Sequence, residues 1–194
     1  KKDGYVTQEI DFSLIDFIVP AYYILTTAEA SSNLSRYDGV RYGYRHKNDV
    51  EDLAEFYKKT RSEGFGTEVK RRIMLGTFVL SEGFYDAYFT KAQQIRRLLV
   101  NQTSEIFNKF DALILPTVPS TAFEAGSMQK DPVAMYLADI YTVYANLTGT
   151  PAISLPLFKH SNGMPFGVQV IANKHNEVTL FKISDMLLRN YKRY

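Results

Sequence analysis

One short segment near the middle of the chain, Gly64 to Ser81, restricts the possible folds more than any other part of the sequence. Its two opening glycines predict a turn, and Thr67 suits the cap position of a helix that begins there. Between Ile73 and Leu80, all residues except one glycine and one threonine are large and apolar. We therefore expect a helix from Thr67 to Ser81 of which little faces water.

Three consecutive cations, Lys70, Arg71 and Arg72, lie just before this apolar run. A buried helix must place at least one of them at the edge of an apolar interior, where a charge persists if it has a partner. Gly76 lies one turn after Arg72 on the same face, and its missing side chain leaves room beside the guanidinium. The partner is therefore either another side chain or the carboxylate of a ligand, and spacing does not choose between Arg71 and Arg72.

The composition narrows the class of protein. The 194 residues suffice for one domain, and the net charge of +2, with both signs interspersed, does not point to nucleic acid. The absence of cysteine excludes disulfides and cysteine-ligated metals. No apolar run approaches the ~20 residues of a membrane span. Because the sequence opens at Lys1 in a polar segment rather than at Met, we expect a portion of a longer protein.

Hydrophobic periodicity predicts an α/β layered fold in which helices cover a mostly buried sheet. Apolar or β-prone runs predict strands at 5–12, 112–115, 152–155 and 167–171. Helical spacing predicts helices at 21–30, 49–62, 67–81, 85–110, 131–147 and 177–191. The run at 112–115 is typical of a strand buried on both faces. We expect Pro20 at a first helical position, an ordered loop at 31–45, and a helix end at Gly149.

Several common chemistries find little support in the sequence. The three histidines are scattered without the spacing of metal ligands, so surface positions are expected. Ser31 and Ser32 have no lysine or histidine placed beside them that would activate a nucleophile, so hydrogen-bonding roles are expected. Acidic residues dilute the cations of the helix predicted at 85–110, as on a solvated face. No glycine pattern for dinucleotide or phosphate binding occurs.

A pair of opposite charges in apolar company is a stronger indication of a site. Asp139 lies in the middle of the helix predicted at 131–147, where aspartate is a poor helix former. In one interpretation, Asp139 and Arg72 pair with each other and the pair is structural. In the other, they face a shared cavity and hold the ammonium and carboxylate groups of an amino acid, with charge-assisted bonds of about 1.5–3 kcal/mol each.

Several stretches along the whole chain match the pattern of a known family. They are Pro20–Tyr23, Glu29–Gly43, Gly64–Gly76, Tyr85–Tyr88, Leu115–Pro119, Asp131–Pro132, Ala145–Leu147, Gly149–Ser154 and Pro165–Gln169. In these stretches the chain resembles the C-terminal part of the A subunits of glutamyl-tRNA(Gln) amidotransferases, within the amidase signature family. The resemblance implies the layered α/β fold of that family, with a mixed β-sheet covered by helices.

The resemblance also implies a glutaminase subunit of a ligase. In that family a serine, a cis-peptide serine and a lysine hydrolyse glutamine, and a partner B subunit uses the ammonia, ATP and Mg²⁺ to convert Glu-tRNA(Gln) to Gln-tRNA(Gln). The family holds glutamine by a tyrosine, an arginine and an aspartate, which match Tyr23, Arg72 and Asp139. Arg72 would bind the α-carboxylate and Asp139 the α-ammonium. The expected assembly is a cytoplasmic heterotrimer with B and C subunits that binds the tRNA mainly through the B subunit.

The chain departs from the family in one large respect, because the Gly-Ser-Ser-Gly nucleophile motif of the N-terminal half does not occur in it. A smaller departure is Tyr144, where the family predicts proline. We therefore expect residues 1–194 to be the C-terminal portion of one amidase domain, with substrate-binding residues but no catalytic residue or metal site, and inert alone.

Two alternatives stay open at this point. The chain could belong to another amidase-signature amide hydrolase, which would tolerate loss of the Arg72 and Asp139 clamp. It could also be a non-enzymatic binding module whose aromatic loop, 37–44, docks a partner protein. A divided sheet would expose strand edges and apolar faces, so we expect self-association of the isolated chain.

Overall fold

The computed structural model describes residues 4–48, 50–126 and 132–191. They form two compact units: a helical unit, Ala21–Gln94, and a sheet unit composed of Lys1–Pro20 and Ile95–Tyr194. In chain order, the elements are α1 (Ile15–Leu34), α2 (Leu53–Gly64), α3 (Thr67–Val79), a π-helical segment (Asp86–Thr90), α4 (Lys91–Phe107), β1 (Ala112–Pro116), α5 (Pro132–Leu137), α6 (Thr142–Thr148), β2 (Ala152–Lys159), β3 (Pro165–Ala172) and α7 (Glu177–Asn190). The α/β class expected from the sequence is confirmed.

Helix α1 is longer than predicted. It begins at Ile15, so Pro20 lies inside the helix rather than at its first position. A proline this close to the start removes a single backbone donor, and the other hydrogen bonds of a 20-residue helix outweigh that loss. The helix continues to Leu34, so the loop expected at 31–45 begins four residues later and Ser31 is helical.

Helix α2 confirms the prediction at 49–62, with its start moved to Leu53. Asp52 is the cap residue, and its carboxylate accepts hydrogen bonds from the backbone N–H groups of Ala54 and Glu55 at 3.3 and 3.2 Å. These bonds satisfy donors that the first helical turn leaves without a partner. The predicted first residue, Asp49, lies outside the described residues.

Helix α3 forms as predicted, although its cap is Gly66 and Thr67 is its first helical residue. The next predicted helix, 85–110, divides into the π-helical segment and α4. The apolar run after Arg72 lies in α3 as far as Val79, and Leu80 is the cap residue at the end of the helix.

The expected burial of α3 is wrong for the described residues. Met74 is 73% exposed, and Leu75 and Phe78 are each 43% exposed. Gly76 and Val79 are buried. The apolar residues lie on several faces of the helix, and the helical unit covers one of them.

The sheet unit contains a three-stranded sheet in the order β1–β3–β2. Both ladders are antiparallel, with Leu113 opposite Ile171 and Ile153 opposite Val170. The strands predicted at 112–115, 152–155 and 167–171 are confirmed and extended. Neither ladder of the described strands contains the parallel pair that a mixed sheet would add. Helix α7, also confirmed, buries Leu180 against β2 and β3.

One strand prediction and one burial prediction fail in the sheet unit. Residues 5–12, all described, are irregular. Their β-prone side chains do not suffice, because a strand needs a neighbour with which to form hydrogen bonds. Strand β1 is not buried on both faces, since Ile114 is 56% exposed. Among the described residues, β1 pairs with β3 alone and is therefore an edge strand.

The helix predicted at 131–147 is interrupted, and Asp139 lies in the interruption between α5 and α6. The carbonyl oxygen of Asp139 accepts hydrogen bonds from the backbone N–H groups of Thr142 and Val143 at 3.0 and 3.1 Å, and from the Thr142 hydroxyl at 3.0 Å. Asp139 thus precedes a new helix rather than continuing an old one, which suits its poor helix propensity. Gly149 ends α6 at φ 69°, as predicted.

Candidate functional site

The structure brings together two of the three predicted glutamine-binding residues. Within the helical unit, the guanidinium carbon of Arg72 lies 5.7 Å from the centroid of the Tyr23 ring. At this distance a cation is attracted by the negative face of an aromatic ring. The contact joins α1 to α3. It also distinguishes between the two candidate arginines, because Arg72 is the one that lies over the ring.

Glu68 holds both arginines from within α3. Its Oε1 accepts a hydrogen bond from Arg72 Nε at 3.1 Å, and its Oε2 accepts one from Arg71 at 2.6 Å. Burial opposes the charged form of Glu68, but the hydrogen bonds and positive charges of Arg72 and Arg71 prevail and lower its pKa. Arg72 is the less exposed cation, at 40% against 57% for Arg71.

The space beside Gly76 is filled by α1. A Cβ atom added to Gly76 would lie 2.0 Å from the carbonyl oxygen of Thr27 and 2.7 Å from Cβ of Ser31. The expectation that this glycine leaves room beside the guanidinium is therefore wrong. Its missing side chain instead lets the backbones of α1 and α3 approach closely.

Asp139, the third predicted residue, lies in the sheet unit. It is half-buried, in the turn between α5 and α6. The structure thus places Tyr23 and Arg72 together in one unit and Asp139 in the other. Its convergence with Arg72 on one ligand stays a prediction.

The sheet unit contains a cleft of about 740 Å³ that sequence reasoning missed. Its lining is mainly apolar and comes from the irregular segment 6–12, from β1 and from residues 140–144. Tyr144 closes one side of it: the ring packs edge-on against Phe12 at 5.1 Å, and the hydroxyl forms a hydrogen bond with Thr103. Burial raises the pKa of Tyr144. A buried tyrosine with a polar partner therefore occupies the position where proline was expected.

A second polar cluster that the sequence did not reveal lies in the helical unit. Glu63 accepts hydrogen bonds from the Tyr44 hydroxyl at 2.7 Å and from His46 Nδ1 at 2.8 Å. The backbone N–H of His46 donates to the Thr60 hydroxyl at 3.2 Å. This cluster fastens the aromatic loop to α2. A surface position was expected for His46, but its side chain is 9% exposed.

Ser31, which was considered as a nucleophile, has a hydrogen-bonding role in the helical unit. Ser31 forms a hydrogen bond with Thr77 at 2.9 Å, as expected for a hydrogen-bonding serine.

Across residues 4–48, 50–126 and 132–191, no three histidine, aspartate or glutamate side chains are grouped so that they could hold a metal ion. In the same ranges, every helix is too short or too polar to cross a membrane.

Comparison with known proteins adds a family and several relatives. Residues 1–181 match the family described as Amidase. The A subunit of the glutamyl-tRNA(Gln) amidotransferase of Agathobacter rectalis is 50% identical over 182 residues, which cover 94% of this chain and 36% of that protein. The corresponding A subunit from Thiobacillus denitrificans is 49% identical over 189 residues, covering 97% and 39%. The chain thus spans somewhat more than a third of the length of these relatives.

Solved structures also match nearly the whole of this chain and somewhat more than a third of their own length. The crystal structure of the glutamyl-tRNA(Gln) amidotransferase A subunit from Thermotoga maritima matches with a TM-score of 0.66 and 39% identity, covering 94% of this chain and 34% of that one. A 6-aminohexanoate cyclic dimer hydrolase complexed with substrate matches with a TM-score of 0.71 and 18% identity, covering 99% and 39%. At that identity the second likeness describes the fold alone.

Proposed function

Because the chain belongs to the amidase family, we propose that it is the glutamine-binding portion of the A subunit of a glutamyl-tRNA(Gln) amidotransferase. The observation that carries this proposal is the identity of about 50% to such subunits across more than nine-tenths of the chain. The hydrolase of another amide that shares the fold is 18% identical.

In the proposed reaction, the complete subunit hydrolyses glutamine to glutamate and ammonia. The ammonia then serves a partner B subunit, which uses ATP and Mg²⁺ to convert Glu-tRNA(Gln) to Gln-tRNA(Gln) in a cytoplasmic complex with a C subunit. The Gly-Ser-Ser-Gly motif does not occur in the 194 residues. We therefore assign the nucleophile and its lysine to a part of the subunit outside this chain, and we expect the chain alone to be inactive.

Arg72 is the proposed ligand of the α-carboxylate of glutamine. Its Nε is held by Glu68 and its guanidinium carbon lies 5.7 Å from the centroid of the Tyr23 ring, so the guanidinium is restrained from two sides before the substrate arrives. A guanidinium with a defined plane can bind both oxygens of a carboxylate at once.

Asp139 is the proposed ligand of the α-ammonium group. It is half-buried at the start of a helix, and its backbone is anchored by three hydrogen bonds to its carbonyl oxygen. A carboxylate that is partly withdrawn from water can bind an ammonium group through a charge-assisted hydrogen bond. A free amino acid carries both charges that the pair would recognise, whereas a peptide-like amide does not.

Glutaminase assays on the full-length subunit in its complex test the proposal. One charge-assisted contact of about 1.5–3 kcal/mol corresponds to a factor of about ten to a hundred in KM. Arg72→Ala should raise the KM for glutamine by this factor. Arg71→Ala is the matched control, because Arg71 binds the same glutamate, and it should change KM less than about threefold.

Asp139→Asn tests the other half of the clamp with a side chain of the same shape. It should also raise the KM for glutamine. If Arg72→Ala left KM unchanged, or if the enzyme hydrolysed simple amides as well as glutamine, the assignment would be wrong and another amide hydrolase would be favoured.

A further inference from the structure

Helices α1 and α3 meet along three successive contacts. Tyr23 meets Arg72, Thr27 meets Gly76, and Ser31 meets Thr77. The residue numbers rise together along both helices, so the helices run in the same direction. The contact at Gly76 lies one helical turn, about 6 Å of rise, after the contact at Arg72.

The middle contact is the closest of the three. A Cβ atom on Gly76 would lie 2.0 Å from the oxygen and 2.6 Å from the carbon of the Thr27 carbonyl. These are backbone atoms of a helix and cannot rotate away. To reach 3.0 Å, the separation below which real Cβ atoms are essentially never found, the two helices would have to move apart by about 1 Å.

Three hydroxyl groups beside this contact, those of Thr27, Ser31 and Thr77, form hydrogen bonds whose donors can be assigned. The Thr77 hydroxyl donates to the Ile73 carbonyl at 2.8 Å, so its single proton is used and Ser31 is the donor in the bond between them. The Thr27 hydroxyl donates to the Tyr23 carbonyl at 2.6 Å, within its own helix. The side chain of Thr27 therefore does not separate the two backbones.

The distance between the helices decides whether Arg72 reaches Tyr23. The guanidinium lies 5.7 Å from the ring centroid, close to the distance of about 6 Å beyond which such attraction fades. An increase of about 1 Å would end the contact. The bond between Arg72 and Glu68 would survive, because both residues belong to α3.

We propose that Gly76 is a positioning residue for the binding of glutamine, because its contact with Thr27 holds Arg72 of α3 against Tyr23 of α1. This inference rests on the proposed function, in which Arg72 binds the substrate carboxylate. Gly76 itself is buried and acts through Arg72.

Gly76→Ala in the full-length subunit, assayed in its complex, tests this role. Loss of the ring contact and a shift of about 1 Å should raise the KM for glutamine by between about fivefold and a hundredfold, while kcat changes less than about threefold. Gly66→Ala is the matched control. Gly66 caps the same helix at φ −66°, and an added Cβ would meet nothing within 4 Å.

A double-mutant cycle with Tyr23→Leu separates positioning from general damage. If Gly76 acts through the contact of Arg72 with Tyr23, then Gly76→Ala should raise KM much less in the Tyr23→Leu background than in the wild type. Equal effects in both backgrounds would overturn the proposal. A lowered kcat with an unchanged KM would do so too.

Two further results complete the design. If Gly76→Ala does not fold, Tyr23→Leu removes the ring contact that Gly76 is proposed to maintain, and it should raise KM in the same direction; an unchanged KM overturns the proposal. If Arg72→Ala itself leaves KM unchanged, the proposed function fails. If Arg72→Ala raises KM and Gly76→Ala does not, the function stands and the positioning role fails.

Discussion

Tyr144 and Thr103 share a buried hydrogen bond. Which of the two hydroxyl groups is the donor predicts which substitution, at Tyr144 or at Thr103, lowers the free energy of unfolding more. The Thr103 hydroxyl donates to the Leu99 carbonyl at 2.6 Å. Because that hydroxyl has one proton, Tyr144 must be the donor in the bond between the two side chains. Tyr144 and Thr103 are 4% and 3% exposed, so water cannot replace a lost hydrogen-bond partner of either hydroxyl.

The two single substitutions should therefore differ in their effect on stability. Tyr144→Phe removes a donor, and Thr103 keeps its bond to Leu99, so the free energy of unfolding should fall by about 0.5–1.5 kcal/mol. Thr103→Val preserves the shape but leaves the Tyr144 hydroxyl buried without an acceptor, which should cost about 1–3 kcal/mol. The double variant has no polar group left to satisfy, so it should lose less than the sum of the two, by about 1 kcal/mol.

Urea denaturation followed by far-ultraviolet circular dichroism measures all three variants. Tyr191→Phe is the matched control, since Tyr191 is 45% exposed and its hydroxyl can bind water. Equal losses for the two single variants, or an additive double variant, would refute the assigned direction of the bond. Burial raises the pKa of Tyr144, so the wild type should lose stability as the pH rises above about 10, and Tyr144→Phe should lose less.

Two further substitutions follow from local geometry. The hydrogen bond from His46, then that from Tyr44, lowers the pKa of Glu63, so its carboxylate adds stability at neutral pH that disappears as the pH falls below about 4. Glu63→Gln should therefore unfold at a lower urea concentration than the wild type at pH 7, and the difference should become smaller as the pH is lowered below about 4; equal midpoints at pH 7 would contradict this. Gly149 has φ 69°, and an added Cβ would make ordinary contacts with the Lys174 side chain at 3.5 Å, so Gly149→Ala should lose about 1–2 kcal/mol from left-handed strain alone. Gly149→Asn should recover part of this loss in the same urea assay, and a loss well above this range would show that contacts rather than strain are responsible.

Elements whose signals are local could be predicted from the sequence. Helices α2 and α7 and the strands near 112, 152 and 167 lie close to their predicted positions, because caps and apolar runs act within a few residues. Residues 5–12 show the limit of this approach. Their alternation favours a strand, but a strand exists only beside another strand, and that neighbour is not encoded in the segment itself.

The site shows the same division between near and distant causes. The sequence singled out the cations before the apolar run, and the family resemblance selected Tyr23, Arg72 and Asp139. Spacing could not choose between Arg71 and Arg72, because adjacent helical residues point about 100° apart and the choice depends on which side faces α1. The break at Asp139 was not predicted: the backbone N–H groups of Asp139 and Ile140 donate to carbonyls three residues back, those of Tyr136 and Leu137, whereas an α-helix uses carbonyls four residues back.

The sequence by itself determined that a helix follows the two glycines, that it carries cations before an apolar run, and that Gly149 ends another helix, since each depends on atoms a few residues apart. Only the tertiary structure shows which atoms occupy the space that the missing side chain of Gly76 leaves. The carbonyl that fills its empty side-chain position belongs to Thr27, far away along the chain. A glycine in a sequence leaves a space, and the packing of a second helix determines whether a ligand or a backbone occupies it.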